Sequence, residues 1–275
     1  MNYINDWNYY YRKNGMMTST DDVFVSMSAI YGDSLSDIIK QLNDNNNNDH
    51  NHNINNTINK YIDLGTGIGS ILLIVANKLR PNVSIGLEAQ KISVSILQKT
   101  LSELPSDAPN ISTHLIDIRY VLNDFPELYQ SIDLLTGNPP YLPTTTGRFP
   151  KDQQRQEARF ETRGGIEDYC LVASQLLSHN GKFVCSFPTK DFNRVELAAK
   201  QSDLIITRRY DLLMGIPSRD ISIFNMIKKS NNVSTLNEMI IEQINIQRDK
   251  ETKSLSKLYV ACRKLLQLNK RPLKE

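Results

Sequence analysis

The sequence has few cysteines and no long apolar run, and these two absences bear on several classes of protein. The three cysteines, Cys170, Cys185 and Cys262, are odd in number, far apart and in no metal-ligand spacing, which fits a reducing compartment better than a secreted disulfide scaffold. No uncharged apolar run is long enough to span a bilayer, and the first residues lack the pattern of a secretory signal. We therefore expect a cytoplasmic protein that uses neither a membrane nor a metal.

The net charge is also small, because 32 Lys and Arg residues face 30 Asp and Glu residues, which leaves +2. No global field draws the protein onto a polyanion, so any nucleic acid must be bound by a local basic patch. With 275 residues and 40% hydrophobic content, the chain can bury one large core. The composition leaves the oligomeric state open.

Residues 43–59 are mostly Asn with scattered Asp and His, and such a tract cannot bury apolar surface. We predict a low-complexity loop there, with His50 and His52 as solvated side chains rather than metal ligands. The loop separates an N-terminal segment, residues 1–42, from a catalytic domain, residues 60–275. The N-terminal segment contains a predicted helix that starts near Asp21 or Asp22, and we expect it to pack on or near the active site.

From Lys60 onward, short apolar runs alternate with helical patterns, as the βαβ units of a parallel sheet require. The predicted strands are Tyr61–Leu64, Val83–Leu87, Ser112–Ile116, Ile132–Leu135, Lys182–Phe187, Leu204–Tyr210, Ser222–Ile227 and Met239–Ile246. The predicted helices are Ser70–Leu79, Lys91–Leu104, Ile166–Ser178, Arg194–Lys200 and Ser254–Leu268. The strands predicted at Leu204–Tyr210 and Ser222–Ile227 come late in the chain, and two late strands of an α/β domain often form an antiparallel edge of the sheet.

A glycine-rich loop follows the first of these strands and opens a helix, so its backbone can approach a nucleotide or nucleoside. The loop is Asp63-Leu64-Gly65-Thr66-Gly67-Ile68-Gly69. Its G-x-G-x-G spacing departs from the dinucleotide fingerprint, and the charge of Asp63 would oppose a pyrophosphate. A ligand with an ammonium group and a ribose, such as S-adenosylmethionine, fits better. Glu88 could accept from the ribose diol, and Asp117 with Ile118 could hold the adenine.

The residues Asn138-Pro139-Pro140-Tyr141 end the fourth predicted strand and combine two hydrogen-bond acceptors with an aromatic face. The Asn138 amide oxygen and the Pro139 carbonyl, which the ring of Pro140 helps to fix, can each accept one N–H of a planar amine. Tyr141 can stack on the attached ring. This arrangement is typical of a site that presents an amino nitrogen to a methyl donor.

With this motif and the glycine loop, the chain resembles class I S-adenosylmethionine-dependent methyltransferases, which include adenine-N6 enzymes acting on DNA and RNA and glutamine-N5 enzymes acting on release factors. Over most of residues 61–268 it is similar to the bacterial tRNA(Val) adenine-N6 methyltransferase family. The matching residues are Gly86-Leu87-Glu88-Ala89-Gln90, Phe149-Pro150, Arg155, Ala158-Arg159-Phe160-Glu161, Leu176-Leu177, Gly181-Lys182-Phe183, Pro217 and Arg219. The Asn-rich tract has no counterpart in that family.

The resemblance implies a Rossmann-like α/β fold with a mostly parallel seven-stranded sheet, helices on both faces and an antiparallel edge strand. It implies an S-adenosylmethionine-dependent enzyme that methylates the N6 amine of adenine in RNA, with tRNA as the expected partner. The residues expected to contact the cofactor are Asp63, Gly65, Thr66, Gly67, Gly69, Glu88, Asp117, Ile118 and Asn138. Asn138, Pro139, Pro140 and Tyr141 are expected to hold the target base. Two alternatives remain open: a glutamine-N5 protein methyltransferase and a noncatalytic partner subunit that binds the cofactor.

A local basic stripe follows the motif, because Lys151, Arg155, Arg159 and Arg163 recur every four residues. A helix that begins at Pro150 would place them on one slowly drifting face, suited to RNA phosphates. The alternative is a solvated face on which Asp152, Glu157 and Glu161 pair with these cations.

Overall fold

A computed structural model describes residues 2–5, 7–12, 15, 17–43, 58–145, 150–229, 238–248 and 254–268. Most of the Asn-rich tract, including His50 and His52, lies outside the described residues. Phe149, one of the residues that carry the resemblance to the family, also lies outside them. The loop predicted for the tract therefore stays a prediction.

The described residues form ten strands, most of them within three residues of the predicted bounds where a strand was predicted. The strands are β1 (Asn2–Ile4), β2 (Trp7–Tyr9), β3 (Lys60–Leu64), β4 (Val83–Glu88), β5 (Ile111–Leu115), β6 (Ile132–Gly137), β7 (Leu177–Pro188), β8 (Leu204–Leu213), β9 (Ile221–Lys228) and β10 (Ile240–Asn245). The first two pair only with each other, and the other eight form one sheet.

Nine α-helices lie in the described ranges, and the one after the glycine loop has the predicted bounds. They are α1 (Thr20–Tyr31), α2 (Leu35–Asn43), α3 (Ser70–Leu79), α4 (Lys91–Ser102), α5 (Val121–Asp124), α6 (Gln153–Arg159), α7 (Ile166–Leu176), α8 (Phe192–Gln201) and α9 (Lys257–Leu265). Helix α1 begins with a capping box, in which Ser19 and Asp22 each accept a hydrogen bond from the other's backbone N–H. No helix in these ranges has both the length and the apolar character needed to cross a membrane.

The large sheet has the strand order β10-β8-β9-β7-β6-β3-β4-β5 and is mostly parallel. Only β9 runs antiparallel to its neighbours, β7 and β8. The predicted α/β fold is confirmed, with two corrections. The sheet has eight strands rather than seven, because β10 pairs with β8 in parallel. The antiparallel strand lies inside the sheet rather than at its edge.

The sheet separates two apolar cores, as the alternation of side chains along each strand requires. On one face, Tyr61 of β3 and Val184 of β7 pack with the N-terminal helices α1 and α2, with α3 and with α9. On the other face, Phe183 and Cys185 of β7 pack with α7 and α8. The N-terminal segment thus shares a core with the sheet. Tyr9, near its start, is fully buried against α3, where its hydroxyl contacts Ser70.

The strand order reverses direction at β3, which pairs with β4 on one side and with β6 on the other. Open α/β sheets bind ligands at such a switch point, outside the carboxyl ends of the strands. In register, Leu64 at the end of β3 lies opposite Gly137 at the end of β6. The glycine loop after β3 and the Asn138 motif after β6 therefore leave the sheet side by side.

Candidate active site

A cavity opens at this switch point, and most of the predicted site residues line it. They are Asp63, Gly65, Thr66, Gly67, Glu88, Asp117, Ile118, Asn138, Pro139, Pro140, Tyr141, Arg159 and Arg163. Gly69 does not line the cavity. It precedes α3 and packs against Leu97, whose Cδ1 atom would lie 2.5 Å from a Cβ at this position. Its position indicates a role in helix packing rather than in cofactor contact.

Asp63 is the most deeply buried carboxylate of the cavity, at 1% exposure. Its Oδ1 accepts a hydrogen bond of 2.7 Å from the hydroxyl of Thr136 on the neighbouring strand. Because the Thr136 hydroxyl donates its hydrogen to Asp63, it must accept the hydrogen bond from the Tyr61 hydroxyl, 2.7 Å away. Burial raises the pKa of Asp63 to about 6, against these hydrogen bonds and with a smaller contribution from the charge of Glu88. No cationic side chain of the described chain pairs with Asp63.

Glu88, at the end of β4, fixes the shape of the glycine loop. Its two carboxylate oxygens accept from the backbone N–H groups of Gly67, at 2.8 Å, and Gln90, at 2.7 Å. Burial nevertheless raises the pKa of Glu88. A carboxylate offers about four acceptor sites, so these two bonds leave capacity for a ribose diol.

Asp117, after β5, is held by a neighbour in sequence. The Arg119 guanidinium donates to it from Nε at 2.9 Å and from Nη2 at 2.6 Å. Burial acts to raise the pKa of Asp117, but the hydrogen bonds and charge of Arg119 outweigh it, so the pKa is lowered. The predicted contact with an adenine amino group would have to share this carboxylate with Arg119, while Ile118 lies buried beside it.

Asn138 has a fully engaged side-chain nitrogen. Its Nδ2 donates to Asp21 Oδ2 at 2.7 Å and to Asp22 Oδ1 at 2.9 Å, both at the start of α1. Its Oδ1 accepts from the hydroxyl of Ser186 on β7 at 2.6 Å. An amide oxygen has two acceptor sites, so one remains for a substrate. Burial, together with the nearby charge of Asp21, raises the pKa of Asp22 to about 6.

The Pro139 carbonyl, the second acceptor of the motif, takes no hydrogen bond from the residues that the structure describes. Tyr141 lies half-buried, with its ring edge-on to Phe187 at a centroid distance of 6.3 Å. Both line the same cavity as Asp63. Asn138, Pro139 and Tyr141 thus lie at one cavity with the glycine loop.

The basic stripe differs from its prediction. Helix α6 begins only at Gln153, after an Asp152 cap, and ends at Arg159, because buried Phe160 adopts an extended conformation. Arg163 therefore lies beyond the helix, where it pairs with Glu157 and lines the cavity on the side of Glu88 and Asp117. It does not belong to a helical stripe with Lys151, Arg155 and Arg159.

Of the three carboxylates that could neutralise the predicted stripe, two pair with cations outside it and one pairs with Arg163, a member of the stripe. Asp152 pairs with Arg12 at 2.8 Å, Glu157 with Arg163, and Glu161 with Arg194 at 2.7 Å. Lys151, Arg155 and Arg159 are exposed and form no salt bridge with another described residue. The self-neutralised alternative therefore holds for Arg163, whereas Lys151, Arg155 and Arg159 keep charges that could face an anionic ligand.

Sequence reasoning missed several residues of the site. Asp21 and Asp22 were expected only to start a helix, and neither Ser186 nor Thr136 carried a motif. Tyr169 on α7 was also missed, although its buried ring lies under both Gly65 and Gly137 and lines the cavity. Their only signal was the topology itself, which brings α1, β7 and α7 to the switch point.

The chemistry of the cavity fits a cationic cofactor. Six carboxylates line it, namely Asp21, Asp22, Asp63, Glu88, Asp117 and Glu157, the last of which pairs with Arg163. Three of them are desolvated enough that their pKa values rise, so a bound positive charge would be favourable there. The loop with its open backbone at Gly67 and the buried Glu88 suit a nucleoside. Among the described residues, no group of three His, Cys, Asp or Glu side chains could hold a metal ion.

Comparison with known proteins agrees with these features. The chain is 27% identical over 207 residues to the tRNA1(Val) (adenine(37)-N6)-methyltransferase of Bacteroides thetaiotaomicron, a match that covers 73% of this chain and 81% of the relative. It is 28% identical over 130 residues to the enzyme of the same name from Yersinia pseudotuberculosis, covering 47% of this chain and 49% of the relative. No protein-family model matches the chain.

The solved structures that this chain resembles include two whose names give a methyltransferase activity. Precorrin-6y C5,15-methyltransferase from Geobacter metallireducens matches with a TM-score of 0.48 and 11% identity, covering 82% of this chain and 96% of that one. Magnesium protoporphyrin IX methyltransferase from Synechocystis, solved with bound SAM, matches with a TM-score of 0.44 and 11% identity, covering 78% and 86%. The resemblance predicted from the sequence is confirmed by the curated relatives: over most of its length, the chain is similar to the tRNA1(Val) adenine-N6 methyltransferases.

Proposed function

We propose that the protein is an S-adenosylmethionine-dependent methyltransferase that acts on the exocyclic N6 amine of adenine in RNA, with tRNA as the substrate class. The observation that carries the proposal is the placement of the Asn138 amide oxygen and the Pro139 carbonyl at one cavity with Asp63 and the glycine loop. The names of the curated relatives support the same activity and substrate class.

The two acceptors explain how the site can use a poor nucleophile. The lone pair of an adenine amino group is delocalised into the ring, so the amine must be held in the geometry that points this pair at the methyl donor. Asn138 Oδ1 and the Pro139 carbonyl each accept one N–H, and both stabilise the positive charge that grows on nitrogen as the new bond forms. When bound, S-adenosylmethionine supplies the electrophilic methyl group.

The carboxylates and the glycine loop divide the binding of the cofactor between them. Asp63, buried and without a cationic partner among the described residues, is suited to favour a positively charged group. Glu88 keeps acceptor capacity for the ribose, while Asp117 and Ile118 border the place proposed for the adenine. Arg163 lies near both carboxylates and would limit the excess of negative charge at this end.

The substrate base must leave its stack to enter the cavity, and Tyr141 can replace part of the lost stacking. Exposed Arg159 lies at both the cavity and the end of α6, one turn after Arg155, and exposed Lys151 precedes the same helix. These three cations would hold the RNA backbone while the base is inserted. Arg163 is withdrawn from this group because it pairs with Glu157 inside the cavity lining.

The test is to incubate the purified protein and labelled cofactor separately with unmodified tRNA transcripts, total RNA, DNA and a protein fraction containing release factors. We expect label in tRNA and its recovery as N6-methyladenosine after nuclease digestion and mass spectrometry. The Asn138→Ala variant should lose transfer but still bind the cofactor in calorimetry. Label on a glutamine side chain would favour the glutamine-N5 enzyme instead, and absence of label in every fraction would favour a noncatalytic subunit.

A further inference from the structure

We propose that Asp21, Asp22 and Ser186 form an amide clamp, a set of positioning residues that fixes the Asn138 side chain with its oxygen toward the substrate amine. The inference rests on the proposed function, since it concerns the same site. It assigns a catalytic purpose to the N-terminal segment, which lies more than a hundred residues before Asn138 in the chain.

The clamp decides which end of the amide faces the carboxylates. Carboxylates only accept hydrogen bonds, and the NH2 end of an Asn side chain only donates, so Nδ2 must face Asp21 and Asp22. The distances of 2.7 and 2.9 Å use both of its hydrogens. The flipped amide would place Oδ1 against two acceptors, which is repulsive. It would also offer N–H donors to a substrate amine that itself donates.

Ser186 restrains the other end of the amide. Its hydroxyl donates to Asn138 Oδ1 at 2.6 Å from β7, the strand next to β6 in the sheet. Ser186 occupies one of the two acceptor sites of Asn138 Oδ1. The direction of the other site is fixed by three hydrogen bonds, two from α1 and one from β7. An acceptor held in this way loses little entropy when the substrate arrives, which is how positioning lowers a reaction barrier.

Asp21 and Asp22 differ in their contacts, and this difference allows the positioning of Asn138 to be tested separately from the capping of α1. Asp22 serves both, because its Oδ2 caps α1 at the Ser19 N–H while its Oδ1 accepts from Asn138. Asp21 takes no part in the capping box, and the hydrogen bond described for its side chain is the one from Asn138. Its place in the first turn of α1 also puts its charge at the favourable end of the helix dipole.

The first measurement is kcat for unmodified tRNA transcripts, together with the Kd for S-adenosylmethionine, in the full chain. For Asp21→Ala we expect kcat to fall by about ten- to a hundredfold, the cost of a misplaced catalytic group, with Kd changed less than about threefold. Asp21→Asn keeps an acceptor oxygen and should recover most of the lost rate. Ser186→Ala should lower kcat in the same direction as Asp21→Ala.

Ser19→Ala is the matched control for helix stability. It removes one half of the capping box, which costs about 1 kcal/mol of stability, but leaves both acceptors of Asn138 in place. Its Tm should fall while its kcat stays within about twofold of wild type, well short of the loss that misplacement of a catalytic group causes. If Asp21→Ala keeps wild-type kcat, or if its Kd rises in proportion to the loss of kcat, the clamp is overturned.

A second measurement tests the clamp even if the substrate proposed above is wrong. In the wild-type protein, the side-chain NH2 of Asn138, assigned in nitrogen-15 spectra by its loss in Asn138→Ala, should exchange slowly with solvent because both hydrogens are bonded. In Asp21→Ala, one of the two hydrogens should exchange at least about tenfold faster, which corresponds to a loss of about 1.4 kcal/mol of protection. Equal exchange in the two proteins would overturn the inference, whereas failure to methylate any adenine with protection intact would count against the proposed function alone.

Discussion

The hydroxyl of Tyr169 lies directly against Gly65, so that a Cβ atom on Gly65 would stand 2.1 Å from it. Gly65 also has a φ of 64°, in the left-handed region that a side chain disfavours. The loop after β3 can therefore pack this closely against the first turns of α7 only because Gly65 has no side chain. This contact limits how closely the glycine loop can approach α7.

We therefore predict that Gly65→Ala weakens cofactor binding, because the loop must move away from Tyr169. Gly67→Ala is the matched control, since Gly67 has a similar φ of 59° but a Cβ there would meet no atom within 4 Å. Both variants carry the backbone strain, of about 1–2 kcal/mol, and only the first carries the clash. Calorimetry should give the larger rise in Kd for Gly65→Ala; an equal rise for both would show that the contact with Tyr169 does not matter.

Much of the fold could be predicted from the sequence, because local patterns determine it. The helix at Ser70–Leu79 follows a glycine loop and reads as one apolar segment, and its bounds were right. The predicted strands of the sheet are also present. The internal position of β9 could not be predicted, because its pairing with β7 depends on contacts between segments that are distant in sequence.

The site was predictable where its residues end a strand, and not where it depends on distant contacts. Asp63, Glu88 and Asn138 each follow an apolar run, so their meeting at one edge follows from parallel strands alone. No local pattern links Asp21 to Asn138, because a charged residue at a helix start is already explained by the helix dipole. The register of Arg163 was wrong because Phe160, a buried residue, ends the helix early.

A second prediction concerns pH, since burial raises the pKa of Asp63 to about 6. The ionised carboxylate favours a cationic cofactor, so affinity for S-adenosylmethionine should increase as the pH rises from 5 to 7 and then level off. The contribution of Asp63 to folding stability has the opposite dependence on pH and decreases as the pH rises. The native chain holds this proton more tightly than the unfolded chain, so the group favours the folded protein more at pH 5 than at pH 7.

Asp63→Asn is the variant that isolates this group, because Asp22 and Glu88 also have raised pKa values and titrate in the same cavity. The variant should bind the cofactor more weakly at pH 7 and show a smaller change in Kd between pH 5 and pH 7. Calorimetry at several pH values checks both. A wild-type Kd that is the same at pH 5 and pH 7 would contradict the role given to Asp63.

The third prediction concerns the cations of α6. Arg155→Glu and Arg159→Glu together should weaken tRNA binding and reduce the slope of log K against log salt by about 0.7–0.9 for each lost phosphate contact. Lys200→Glu is the control for each single reversal, because Lys200 is an exposed cation at the end of α8, shortly before β8 begins at the amino ends of the parallel strands. Filter binding at several salt concentrations compares the two. If Lys200→Glu reduces affinity as much, the effect comes from net charge and not from a surface beside the cavity.

The last prediction separates the ring of Tyr141 from its hydroxyl. The ring lines the cavity and stands nearly perpendicular to the ring of Phe187, at an interplanar angle of 83°. Stacking of a base on an aromatic ring contributes about 1–3 kcal/mol, so Tyr141→Ala should lower kcat/KM for tRNA by about 5- to 150-fold. Tyr141→Phe removes only the hydroxyl and keeps the ring on which a base can stack. Its kcat/KM should therefore stay within about threefold of wild type. Steady-state kinetics with unmodified tRNA transcripts distinguishes the two variants. A large loss in Tyr141→Phe would instead assign the essential contact to the hydroxyl, and the ring would then serve to place that group rather than to receive the base.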